Sequence, residues 1–131
     1  MTIEKKDIEQ YLLEVKEAVN CGRYRIDLHQ KRQANLDLFV NYIIDEEKAK
    51  DILLDLNVLD FSNRLQNEHE GLEHEQLYVF RKDVKLLERM GSDEKNVSLY
   101  IKINKLEDGF VIVISFHEQK YPLKYYFKCE E

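Results

Sequence analysis

Val97-Ser98-Leu99-Tyr100-Ile101-Lys102-Ile103 is followed by the turn Glu107-Asp108-Gly109 and then by Phe110-Val111-Ile112-Val113-Ile114-Ser115-Phe116-His117. The first run alternates apolar and polar residues, the period of a strand with one buried face. The last run is apolar from Phe110 to Ile114, which reads as a buried strand. The two form a strand, a turn and a strand. Ser98, Tyr100 and Lys102 share the polar face of the first, and His117 ends the second, where side chains emerge at the sheet edge.

Upstream of this hairpin the pattern changes. Ile8, Tyr11, Leu12, Val15, Ala18 and Val19 recur at spacings of three and four, predicting an amphipathic helix that Asp7 caps and Gly22 stops. Arg23–Leu28 alternates polar and apolar and fits either a short strand or the extended exit of that helix. Helical spacing returns with a short helix near Leu36–Tyr42 and a longer one near Glu46–Leu56. The acids Asp45-Glu46-Glu47 between them suit a helix N-terminus. Val58–Gln66 and Gln76–Lys82 read as strands joined by the polar loop Asn67–Glu75. Asp83–Lys95 reads as one helical turn or a loose excursion, and only the tail after Tyr121 stands apart. Helices first and a strand meander second predict an α+β domain over residues 1–131, with the N-terminal helices packed on an antiparallel β-sheet.

The composition bounds the partners. The chain has 131 residues, 44% hydrophobic and 35% charged, enough for one core and a well-solvated exterior. Its charged N-terminus carries no apolar run, so a soluble, cytoplasmic protein without a membrane partner is the expectation. Cys21 and Cys129 are expected as reduced thiols, with a disulfide between them left open. The net charge of −6 argues against generic nucleic-acid binding. Yet residues 97–128 hold five lysines against three acids, so a basic face on an acidic body is compatible with the sequence.

Few residues carry chemistry. The chain has no glycine-rich phosphate loop, nucleophile elbow, CxxC or HExxH. His69 and His74, with their neighbouring acids, read as a solvated loop or a weak metal site. No metal or other cofactor is expected. His117 can act as an acid or base near neutrality, beside Tyr100 and Lys102 on the neighbouring strand, with Arg81 and Lys82 closing the strand before. RNA cleavage needs such a set: a base for the 2′-OH proton, a donor to the leaving 5′-oxygen and cations for the phosphate. An ordinary amphipathic sheet with a solvated polar face is the competing reading.

Three segments in order resemble the MqsR toxins, a RelE-like family of bacterial toxin–antitoxin systems. They are Glu14–Arg25; Ile52–Phe61 followed by Leu77–Arg81; and Val97–Ile103 with Val113–Glu118. The resemblance implies a RelE-like fold and a metal-independent endoribonuclease that cuts mRNA, often on the ribosome, and is neutralised by a cognate antitoxin. It implies a catalytic role for Tyr100, which matches the family's tyrosine. His117 stands where the family has a lysine. The family's lysine after Asp-Phe matches Asn63, with Arg64 beside it. The family's glutamine matches Leu77, with Gln76 one residue before. The expected catalytic residues are Tyr100, His117 and Lys102, and the expected RNA contacts are Arg64, Arg81, Lys82, Gln76 and Lys120. A catalytically inactive RelE-like protein-binding module is the alternative.

Overall fold

A computed structural model describes residues 3–29, 32–91 and 93–127. The N-terminal periodicity forms helix α1 (Lys5–Asn20), and the six apolar positions of that periodicity are buried while Leu13 is exposed. Its N-cap is Glu4 rather than Asp7, which lies in the first turn, where its charge still favours the helix dipole. Gly22 ends the helix in the left-handed region, at φ 75°. The alternating segment resolves as strand β1 (Tyr24–Ile26). Helices α2 (Gln33–Asn41) and α3 (Glu46–Leu54) follow. The acidic cluster does start α3: Oδ1 of Asp45 accepts a bond from Lys48 N–H at 2.8 Å. No helix among the described residues is long and apolar enough to cross a membrane.

The remaining strands are β2 (Phe61–Gln66), β3 (Gln76–Leu87), β4 (Glu94–Lys105) and β5 (Val111–Glu118). They form with β1 an α+β fold whose five-stranded sheet has the order β1-β5-β4-β3-β2. The sheet is mixed rather than antiparallel throughout, because β1 lies parallel to β5. Helices α2 and α3 and strands β2 to β4 lie between β1 and β5 in the chain, so a crossover connection is available to the parallel pair. The stretch Asp83–Lys95 is not a loose excursion. β3 and β4 stay paired out to Leu87 and Glu94, and the turn takes only the residues between. Val84 and Leu86 point to the core at the period of two of a strand, whereas Leu87, which stands at helical spacing from Val84, is exposed.

The helices cover one face of the sheet. Val97, Leu99, Ile101 and Ile103 of β4, Val111 and Val113 of β5, and Phe61 and Phe80 join the α1 side chains in one buried cluster. The opposite face carries Ser98, Tyr100 and Lys102. The tail is not separate: it crosses this face as a strap. Gln119 N–H donates to Ser98 O (2.9 Å) and Tyr126 N–H to Phe61 O (2.9 Å). Ser62 Oγ donates to Lys124 O (2.6 Å). Tyr126 and Phe127 then pack their rings on Phe61.

One irregularity sets which β5 residues face the strap. Val113 pairs with Ile103 and Ser115 with Lys102, so Ile114 is an extra residue in β5. Val111 and Val113 therefore face the helices, whereas Ser115 and His117 face the other way. Asn35 of α2 holds this bulge. Its Nδ2 donates to Ile114 O (2.9 Å) and Asp27 O (2.7 Å), and its Oδ1 accepts from Phe116 N–H (2.8 Å). Asn35→Ala leaves the Ile114 carbonyl and the Phe116 N–H without these partners. The expected loss is about 2–4 kcal/mol of stability, measured by chemical denaturation; a loss below the low end would mean that other groups satisfy the bulge.

Candidate active site

Tyr100 and His117 are directly paired across β4 and β5. Their rings stack with centroids 5.2 Å apart and planes 8° from parallel. Lys102 and Ser115 form the next pair on the same face. With Lys120, Tyr121, Pro122 and Leu123 of the strap, these four line a cleft of about 300 Å³. The bulge is why β5 contributes a histidine here: without it, Phe116 would take this face and His117 the core.

The protonation states follow from the surroundings. Nδ1 of His117 lies 2.9 Å from Glu118 O. A carbonyl oxygen only accepts, so Nδ1 carries the hydrogen and Nε2 of the neutral ring keeps its lone pair. Burial pushes the Tyr100 phenol up, so at neutral pH it is a hydrogen-bond donor. Burial also holds the Lys102 ammonium below the usual lysine range, and the Arg32 guanidinium adds to the effect. Among the described residues no side chain ion-pairs with Lys102. A half-buried, unpaired cation is costly to hold.

The other expected contacts scatter. Arg81 is on the same face, but its guanidinium is engaged: Nε pairs with Asp83 (3.1 Å), Nη1 donates to Leu123 O (3.0 Å) and Nη2 to Ser98 Oγ (3.4 Å). It also lies over the Tyr125 ring, 5.0 Å from the centroid. It anchors the strap rather than offering a free cation. Lys82 is on the helix side, paired with Asp55 (3.0 Å) and Asp60 (3.2 Å). Arg64 and Gln76 are on that side too, since they pair with Tyr78 and Gln66 and Tyr78 stacks on Tyr11 of α1. One position along a strand reverses the face, so Asn63 and Leu77 reach the Tyr100 side and their neighbours do not. Lys120 alone of the five expected contacts lines the cleft.

Sequence reasoning missed Ser115, Tyr121 and the supporting Asn35. Ser115 and Tyr121 were signalled by the polar break in an apolar run and by an aromatic next to a proline. Asn35 had no signal beyond being polar within a helical repeat. The loop histidines stay solvated, and among the described residues no three His, Cys, Asp or Glu side chains converge as a metal site. Cys21 is a free, exposed thiol, and Cys129 lies outside the described residues, as does Lys128.

Two titrations test this arrangement. The lowered folded-state pKa of Lys102 means that the unfolded chain binds its proton more tightly. The penalty is whole below the folded value and fades as pH rises towards the ordinary lysine value, about 10.4. Lys102→Met is therefore expected to raise the melting temperature at neutral pH, with the gain shrinking as pH climbs through that window. A lower melting temperature would show that Lys102 is a satisfied cation.

The Asp83 carboxyl behaves in the opposite sense. Burial resists its ionisation, but bonds from Ser98, Arg81 and Tyr125 outweigh burial and hold it below its usual range. Its contribution is whole above the ordinary aspartate value, about 3.9, and is lost as pH falls through the folded value. Asp83→Asn is expected to raise amide exchange at Leu123–Tyr126 already at neutral pH, where the wild type does so only in acid. Equal exchange in both would mean that the strap is held without Asp83.

No protein-family model, curated protein or solved structure matches this chain.

Proposed function

We propose that this chain is a RelE-like, MqsR-like endoribonuclease toxin that cuts mRNA without a metal and is neutralised by a cognate antitoxin. The observation that carries the reading is the cleft itself. It brings a histidine whose Nδ1 faces the Glu118 carbonyl, a protonated tyrosine and a lysine with no ion pair among the described residues onto one face of two adjacent strands. His117 and Lys102 occupy diagonal positions of the ladder, roughly 7–8 Å apart at the backbone. A phosphodiester between them has its attacking and leaving oxygens on opposite sides of phosphorus.

In this mechanism Nε2 of His117 takes the 2′-OH proton as the 2′-oxygen bonds to phosphorus. The bond to the 5′-oxygen breaks, and the Lys102 ammonium gives that oxygen a proton. Its lowered pKa makes it a better acid than an ordinary lysine. The products are a 2′,3′-cyclic phosphate and a 5′-OH. Tyr100 donates to a non-bridging oxygen, where negative charge develops. Lys120 adds charge at the rim.

A second reading has its own support. Arg81 and Lys82, two of the cations expected on RNA, are consumed by internal pairs. A binding module that has lost cleavage would keep the fold and the antitoxin surface with such a depleted face.

Induced expression with mapping of new RNA 5′ ends separates the two. The toxin reading expects growth arrest and new ends bearing 5′-OH. His117→Ala is expected to lower cleavage by the purified protein about 10²–10⁴-fold, and Tyr100→Phe about 10²–10³-fold. Absence of new ends in the wild type sinks the nuclease in favour of the binding module. Cleavage that survives both substitutions leaves a nuclease with a different site.

A further inference from the structure

Lys102 is shared by two clefts. Beyond it, towards β2, lies a second one of about 500 Å³. Leu65 and Leu77 give it an apolar floor, and the polar segment Gln66–His69 lines its rim. Glu68 is also on its lining, and a carboxylate there repels a phosphate. What fits is a flat, uncharged group with apolar faces and a hydrogen-bonding edge.

On the other side of Lys102 stands Tyr121. Tyr121 is among the residues that line the first cleft and is 80% exposed. The chain around it is pinned, since Leu123 N–H donates to Gln119 Oε1 (3.2 Å) and Leu123 O accepts from Arg81 (3.0 Å). An exposed aromatic on a fixed backbone is a stacking platform of the kind that single-stranded nucleic acid uses.

We propose that Lys102 is the centre of a track for two successive unpaired nucleotides. The phosphate between them sits at Lys102, one base stacks on Tyr121, and the other enters the Leu65–Leu77 cleft. The proposal rests on the RNA reading above and narrows its substrate to single-stranded RNA read at the bases flanking the cut. A duplex does not fit, because its bases cannot splay to opposite sides of one lysine.

The test uses the full chain and short 2′-deoxy single strands, which lack the 2′-OH needed for cleavage, with a duplex of the same sequence as control. Binding is followed by fluorescence anisotropy, and cut sites in RNA are sequenced. Single strands are expected to bind more tightly than the duplex. Tyr121→Ala and Leu65→Glu should each weaken binding about ten-fold, and Leu65→Glu should also change the base preferred on one side of the cut. Both positions are partly or largely exposed, and unchanged melting temperatures show that the variants fold; Leu65→Gln replaces Leu65→Glu if it does not.

Duplex binding equal to that of single strands overturns the track. So does RNA cleavage whose affinity and base preference survive both substitutions, although the nuclease then stands. If the wild type cuts no RNA but its single-strand binding falls in both variants, the nuclease fails and the track stands. Neither cleavage nor binding removes both.

Discussion

The amide of Asn35 holds the part of the sheet on which everything else depends. β1 is only three residues long and leaves β5 after Val113, so the outer backbone of β5 beyond that point has no strand beside it. A buried, unpaired N–H or C=O is costly. Asn35 supplies both kinds of partner at once, to the carbonyl of Ile114 and the N–H of Phe116, from a helix packed along that edge. It does so at the residue where β5 bulges. The same bonds that close the edge therefore keep the bulge in place, and the bulge turns His117 towards Tyr100. A three-residue strand, a buried amide and an extra residue act together to place one ring against another.

The strap is the second consequence of that geometry. Because β5 ends at the cleft, the following chain is delivered directly over the polar face. Arg81 and Asp83 meet it there, and their bonds to Leu123, Ser98 and Tyr125 use polar groups that solvent would otherwise cover. The sheet's cations are thereby sorted by role. Lys82 is paired on the helix side, Arg81 is paired beneath the strap, and Lys102, between two clefts, has no ion pair among the described residues. That sorting explains how an acidic chain can present a site suited to an anion: what matters locally is which cation lacks an internal partner, not the sum over the surface.

Much of the fold was legible because periodicity reports burial. The six buried positions of α1, the alternation of β4 and the acid-capped start of α3 each follow from local pattern and local physics. The parallel β1 was not legible, since three residues carry too little pattern to name a partner strand. Nor was the length of the β3–β4 ribbon, where Val84 stands at strand spacing from Leu86 and at helical spacing from Leu87. The site divided along the same line. Tyr100, Lys102 and His117 were visible as polar residues on one strand pair. The sides taken by Arg64, Gln76 and Lys82 depended on a register that only pairing with β3 and the packing of Tyr78 on Tyr11 decide.

Register also bears on what the resemblance to the RelE-like toxins can carry. Asn63 and Leu77 match family positions and do reach the face of Tyr100, while the charged or polar neighbours that were expected to stand in for them, Arg64 and Gln76, do not. A substitute one residue away in a strand is not a near miss but a residue on the opposite surface. A phosphate held on this face would meet Lys102 between the clefts, Lys120 at the rim, the phenol of Tyr100 and the ring of His117. Such a site is less basic than one with two further cations. Were RNA bound here as proposed, the smaller electrostatic share would put more weight on contacts to the bases, which on this face would fall to the exposed ring of Tyr121 and the apolar floor of Leu65 and Leu77.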